Sequence, residues 1–311
     1  MSALICGSFA YDTIMVFQDQ FKNHILPDKV HILNVSFLVP SMRREFGGCA
    51  GNIAYNLKLL GGEPLPMGTV GNDFAQYAEW MDQCGITRKY LKTIEDTYTG
   101  QAFITTDMDD NQITAFHPGA MNQAHEVKVR DADEISIGIV SPDGRDGMIQ
   151  HAQQFAEATV PFIFDPGQGM PMFNGDELMQ FVDLATWVTV NDYEAQLLQE
   201  RTGRELEELA GEVEALIVTL GAEGSRIYRD NERIDIPPAK VDVVNDPTGC
   251  GDAYRAGLLY GLEKGYDWET TGRIAALMGA IKIESHGTQN HHFTKDEFNK
   301  RYQDNFGTAV L

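Results

Sequence analysis

The chain has 311 residues, 43% of them hydrophobic, and its 24 Lys+Arg against 46 Asp+Glu leave a formal net charge of −22. That charge repels nucleic acid and anionic membranes, so neither is expected as a partner, and any phosphate site must rely on local donors and a counter-cation. No run of about twenty apolar residues occurs, and residues 1–7 lack a basic stretch ahead of a long apolar core. Cys6, Cys49, Cys84 and Cys250 show no paired spacing, which argues for reduced thiols in a cytoplasm and against a zinc site. At this length one large α/β domain with an appendage is expected.

Residues 3–7 read as a buried strand ending at glycine, with Ser8 and Asp12 at its carboxyl end, where ligands collect in open α/β sheets. Asp12 taken alone reads first as a turn former. Thr13–Phe17 and Val30–Val39 have strand character, and the chain then runs through Met42 and Arg43-Arg44-Glu45-Phe46 to Gly47-Gly48. No crossover helix fits between them, so an antiparallel flap is expected. A helix follows over Ile53–Gly62, closed by glycine. Met67–Gly71 reads as a strand, Asn72-Asp73 as a cap, and Phe74–Met81 as an amphipathic helix.

Tyr98–Thr106 and Gln112–His117 flank Asp109-Asp110-Asn111 as a hairpin, assigned to the same flap. The aromatics Phe37, Phe103 and Phe116 then either stack on a base or fill the seam between flap and body. From Ile135 onward strands and helices alternate, which predicts βα units and a parallel sheet. Asn191-Asp192-Tyr193-Glu194 has the pattern of a capping box. Ala215–Ser225 runs from a strand into a glycine turn, residues 226–237 form a hairpin, and helices are expected over Thr270–Glu284 and Lys295–Tyr302. Adjacent His291 and His292 rarely face one metal ion.

The densest chemistry lies at Asn245-Asp246-Pro247-Thr248-Gly249-Cys250-Gly251-Asp252, directly before an apolar run at helical spacing. Helix N-termini carry unpaired N–H groups and a positive dipole end, and Gly249 and Gly251 let the backbone approach an anion closely. Asp252 puts a carboxylate beside that anion. Such an arrangement makes sense if the carboxylate removes a proton from an attacking hydroxyl, although an acidic residue in a first helical turn is also common for its own sake.

Asp-x-Thr-Gly-x-Gly-Asp before a helix resembles the signature of the ribokinase-like (PfkB) family of carbohydrate and nucleoside kinases. Gly47, Gly48 and Asn52 match its Gly-Gly-x-x-x-Asn signature, Asn191 and Glu194 its Asn-x-x-Glu, all in the family's order. The resemblance implies a ribokinase-like three-layer α/β sandwich with a mostly parallel sheet and a small β-sheet lid, formed by about 13–46 and 98–118 within a single 1–311 domain. It implies Asp252 as catalytic base and Gly249, Cys250 and Gly251 as the anion hole. Asp12 and Asn52 would hold sugar hydroxyls, with Gly47 and Gly48 in the same substrate site. ATP with Mg²⁺ would be bound by Asn191, Glu194, Thr219, Gly221, Gly224 and Thr248, with a monovalent cation such as K⁺ near Asp246. Residues 46–52, 113–121 and 164–168 look most like the bacterial and archaeal adenosine kinase branch, which adds Ser8, Ser36, Phe103, Phe116 and Gln168 as nucleoside contacts. The implied reaction is transfer of the ATP γ-phosphate to the 5′-hydroxyl of adenosine. Alternatives are another nucleoside or sugar kinase of the family, or a nucleotide sensor; a dinucleotide oxidoreductase lacks its Gly-x-Gly-x-x-Gly after the first strand. Monomer and homodimer both stay open.

Overall fold

The structure is a computed structural model that describes residues 2–25, 32, 34–109 and 111–310. Its first strand, β1 (Ser2–Cys6), alternates Ala3 and Ile5 on one face with Leu4 and Cys6 on the other, and both sets are buried. Period-two burial on both faces is the mark of a central strand. The chain continues through β2 (Ala10–Val16), β3 (Ser41–Gly47), α1 (Cys49–Leu59), β4 (Pro64–Val70), α2 (Ala75–Gln83), β5 (Tyr90–Thr93), β6 (Gly100–Thr106) and β7 (Gln112–His117). Regular alternation follows with β8 (Ile135–Val140), α3 (Arg145–Glu157), β9 (Phe162–Phe164), α4 (Gly175–Leu184), β10 (Trp187–Asn191), α5 (Asp192–Thr202), α6 (Leu206–Gly211) and β11 (Ala215–Thr219). β12 (Ser225–Arg229), β13 (Glu232–Ile236), α7 (Cys250–Lys264), α8 (Trp268–Ile283) and α9 (Lys295–Phe306) complete it.

Nine strands form one sheet in the order β13-β12-β11-β10-β9-β8-β1-β4-β5, parallel from β11 to β5, with β12 and β13 antiparallel at one edge. One core packs Ala3, Ile5, Ile139 and Ile217 against α1, α2, α7, α8 and α9. The other packs Leu4, Val140, Val188 and Val218 against α3, α4, α5 and α6. Helices on both faces make the expected three-layer sandwich. Strand order reverses beside β1, which has β8 on one side and β4 on the other. A crevice for ligands belongs at such a switch point, outside the carboxyl ends of the strands. Among the described residues no helix is long and apolar enough to cross a membrane.

The second sheet has four strands in the order β3-β2-β6-β7 and unites the expected flap with the 98–117 hairpin. Three details differ from the sequence reading. No strand forms at residues 34–39; residues 30, 31 and 33 of the expected Val30–Val39 strand lie outside the described residues. The charged segment Ser41–Gly47 forms the edge strand instead, as suits an exposed edge, while Phe37 packs on Phe17 and Phe21 at centroid distances of 4.8 and 5.0 Å. Asp12 falls inside β2 rather than in a turn, because that strand begins at Ala10. Finally, α2 starts behind Phe74 with no side-chain cap. Asp73 accepts instead from Thr99 N and Gln101 Nε2, both at 2.8 Å, and so ties the small sheet to the body.

Candidate active site

The turn that opens α7 is set by Gly249, whose φ of +79° lies in the left-handed region that side chains disfavour. From there the first turn presents its amides without any side-chain cap, a ready anion site. The Cys250 N–H donates to Pro247 O at 3.1 Å and so holds the shape of the turn. Asp252 sits in this first turn, and its Oδ2 accepts a 2.8 Å bond from Asn52 Nδ2. Asn52 is oriented in its turn: its Oδ1 accepts from Gln289 Nε2 at 2.9 Å, and Gln289 Oε1 accepts from Trp80 Nε1 at 2.9 Å. Residues 200 positions apart are thereby brought to one point by α1 and α7.

Burial pushes the Asp252 carboxyl up to about 6, helped by the Asp165 charge and opposed by the Asn52 hydrogen bond and the Arg255 guanidinium. Ionised at neutral pH yet more basic than an ordinary carboxylate, it meets the requirement for a general base. Asp12, half-buried in β2, is also pushed up to about 6, first by burial and then by Glu45 and Asp246.

Gly47 and Gly48 let these strands and α1 meet. Gly48 has φ +87°, and a Cβ there would stand 2.5 Å from Ser8 O. Ser8 belongs to the same junction, since its O accepts from Ala50 N at 3.0 Å and its Oγ from Cys49 N at 3.2 Å. Sheet register then sorts the aromatics. Phe116 aligns with Ala102, Asp12 and Glu45, whereas Phe103 aligns with Thr13, Arg44 and Ala115 on the opposite face. Directly paired residues share a face, so only Phe116 stands on Asp12's side. Both rings are exposed, as are Ser36 and Gln168.

The residues expected to meet the nucleotide gather at the ends of adjacent strands. Asn191 and Thr219 are register partners closing β10 and β11. Asn191 Oδ1 accepts from Glu194 N at 2.7 Å while Glu194 Oε2 accepts from Asn191 N at 2.8 Å, the capping box. Gly221 and Gly224 take positive φ in the turn after β11, and Thr248 N donates to Asp246 Oδ1 at 2.9 Å. Burial, with the Asp165 charge, raises Glu194 above its ordinary value, a cost that a bound divalent cation would relieve.

Three neighbours escaped the sequence reading. Arg255, one helical turn past Asp252, makes a two-pronged ion pair with Asp165 at 3.0 Å for each bond, both residues buried, and lies 3.9 Å from Glu194. The spacing to Asp252 and the position of Asp165 at a strand end were the available signals. Lys282, fully buried near the end of α8, donates to Asp246 O at 2.7 Å and Ser285 O at 3.1 Å. A lysine in the last turn of a helix reads as an ordinary charge complement to the dipole, so its sequence position hides this contact. Asp246 Oδ2 accepts from Gly287 N at 2.9 Å, which leaves each Asp246 oxygen already bonded within the protein. With its ammonium on Asp246 O, Lys282 already supplies a positive charge beside Asp246, where a monovalent cation was expected.

A glycine turn at a helix mouth, a half-buried aspartate in its first turn, and paired glycines beside a second aspartate define a phosphotransferase site on an α/β sandwich. The model for the pfkB family of carbohydrate kinases matches residues 12–295, and the chain belongs to that family. It is 33% identical over 272 residues to the nucleoside kinase of Methanocaldococcus jannaschii, covering 87% of this chain and 89% of that one. Among solved structures, the Burkholderia thailandensis nucleoside kinase in complex with inosine is 52% identical, with a TM-score of 0.91 over 99% of both chains. The same enzyme in complex with ADP-inosine gives 54% identity and a TM-score of 0.88, over 99% of this chain and 97% of that one.

Proposed function

We propose that the protein transfers the γ-phosphate of ATP to the 5′-hydroxyl of a purine nucleoside, with adenosine as the first acceptor to test. The observation that carries the reading is the half-buried Asp252 carboxylate, held by Asn52 at the mouth of α7. A hydroxyl bound there loses its proton to Asp252 as it attacks. The α7 amides stabilise charge on the phosphoryl group in flight, and Arg255 and Asp165 brace the helix turn that carries the base. Mg²⁺ arriving with the nucleotide, near Asn191 and Glu194, would neutralise its phosphates. Asp12 accepts ribose hydroxyls, and Gly47, Gly48, Ser8 and Asn52 shape that pocket.

The small sheet, spanning about 13–46 and 98–118, is the lid whose closure keeps water from the γ-phosphate. A cytoplasmic setting is consistent with four free thiols. The inosine complex of the Burkholderia relative supports inosine as an alternative acceptor. Initial rates with Mg²⁺-ATP on adenosine, inosine, guanosine, cytidine, ribose and fructose 6-phosphate decide among these. Preference for adenosine or inosine upholds the reading; turnover of a plain sugar alone overturns its nucleoside half, and no turnover of any acceptor overturns the kinase assignment.

A further inference from the structure

We propose that Lys282 is a built-in monovalent cation, its ammonium bridging the anion-hole turn to the segment after α8, so that phosphoryl transfer proceeds without added K⁺ or Na⁺. The inference rests on the kinase reading above but concerns a separate property of the same site.

A buried lysine normally finds a carboxylate, or loses its proton. This one instead aims its nitrogen at two main-chain carbonyls, Asp246 O at 2.7 Å and Ser285 O at 3.1 Å, from segments that meet only in the tertiary fold. Carbonyl oxygens converging on a compact point charge are the coordination that a potassium or ammonium ion would accept. The segment it holds matters. Asn245 N and Asp246 N both donate to Ile283 O, at 2.9 and 3.1 Å, and Asp246 Oδ2 accepts from Gly287 N. Gly249 sits against Thr288, to which an added Cβ would come within 3.0 Å. The Asp246–Gly249 turn is thus clamped along its length to residues 283–288, with Lys282 as the buried rivet.

Charge works in the same direction. Burial leaves the lysine below its ordinary value, and the Asp246, Cys250, Asp252 and Glu45 groups around it offset part of that cost by attracting the ammonium. One fixed positive charge at this position offsets the carboxylates that would otherwise repel an incoming phosphate, as an ion would. Lys282 touches neither reacting group. It is a positioning residue, and its effect is on the shape and field of the anion hole.

The test compares turnover of wild type, Lys282→Ala and Lys282→Met with Mg²⁺-ATP and the best acceptor of the panel, with tetramethylammonium, K⁺ or NH₄⁺ as the monovalent cation at matched ionic strength. Wild type should turn over equally in all three. Lys282→Ala, which opens a cavity lined by the two carbonyls, should lose at least about tenfold in kcat in tetramethylammonium and regain most of it with K⁺ or NH₄⁺. Lys282→Met fills the space without charge, so its kcat should fall and stay down in every salt. A brace without an electrostatic role would not produce that cation-dependent recovery.

Stimulation of wild type by K⁺ overturns the proposal, as does a folded Lys282→Met with wild-type kcat, or a folded Lys282→Ala whose loss no cation repairs. Should the alanine variant fail to fold, the methionine variant and wild type still decide between these outcomes. Wild-type protein inactive under every salt would strike the kinase reading rather than this one.

Discussion

Replacing Asp252 by Asn removes the base while keeping an oxygen for the Asn52 Nδ2 bond, so geometry and substrate binding should survive. Loss of general-base assistance is worth about 10² to 10⁴ in rate, or about 2.7 to 5.4 kcal/mol of barrier. The same substitution has a second consequence of opposite sign. Because the folded state raises this carboxyl from 3.8 to about 6, the proton is held more tightly in the fold than in the unfolded chain. The stability this group contributes is therefore complete below about pH 4 and is lost as pH rises through about 6. A shift of about two units corresponds to about 3 kcal/mol, reduced towards about 1 kcal/mol because solvent reaches part of the side chain. With an unfolding entropy of about 2.1 cal/mol/K per residue, Asp252→Asn should melt about 2 to 5 °C higher than wild type at about pH 8. That gain should vanish near pH 4. Steady-state kinetics and ADP or nucleoside binding by calorimetry, paired with thermal melts at both pH values, give the comparison. A variant that binds substrates weakly yet turns them over normally, or one that melts lower at high pH, would refute the argument.

Four further outcomes follow from the same geometry. Since Asp12 and Asp252 are both raised to about 6, kcat/KM should fall below that pH with a slope between one and two, and Asp12→Asn should leave a slope of one; an unchanged slope would remove Asp12 from the site. Arg255→Met strands the Asp165 carboxylate in the interior and should cost about 3 to 5 kcal/mol in urea unfolding, with Arg255→Met/Asp165→Leu recovering most of it. Phe116→Ala should raise the nucleoside KM by a factor reflecting about 1 to 3 kcal/mol of stacking, while Phe103→Ala, on the far face of the sheet, should leave it unchanged; the reverse pattern would contradict the register argument. Gly48→Ala forces a side chain into φ +87° and against Ser8 O, so it should destabilise by more than about 1 kcal/mol and raise the nucleoside KM.

Local signals carried much of the fold and the centre of the site. Apolar alternation marked β1, β8, β10 and β11, and glycine punctuation marked the start of α7, because both depend on neighbours in sequence and on backbone geometry alone. Asp252, Gly48 and Asn52 stood out for the same reason: each lies in a short motif at a helix entrance. Reading failed where the decision belonged to partners far along the chain. The Val30–Val39 stretch has the composition of a strand, yet the lid edge formed from Arg43-Arg44-Glu45, since ladder pairing with β2 and not apolar content selects an edge strand. Asp73 looked like a helix cap until its partners proved to be Thr99 and Gln101.

What the sequence determined by itself was the class of protein and the candidate for the base, Asp252, since glycine conformations and the helix mouth are local. What only the tertiary structure decided was the environment of that base. The Asn52 and Gln289 relay, the Arg255–Asp165 pair, the face on which Phe103 lies and the cation that holds the anion-hole turn join residues 36 to 237 positions apart. Burial and electrostatics act through space, so a lysine whose sequence neighbours make it look like a surface charge can end buried, with its ammonium on the carbonyls of a clamp.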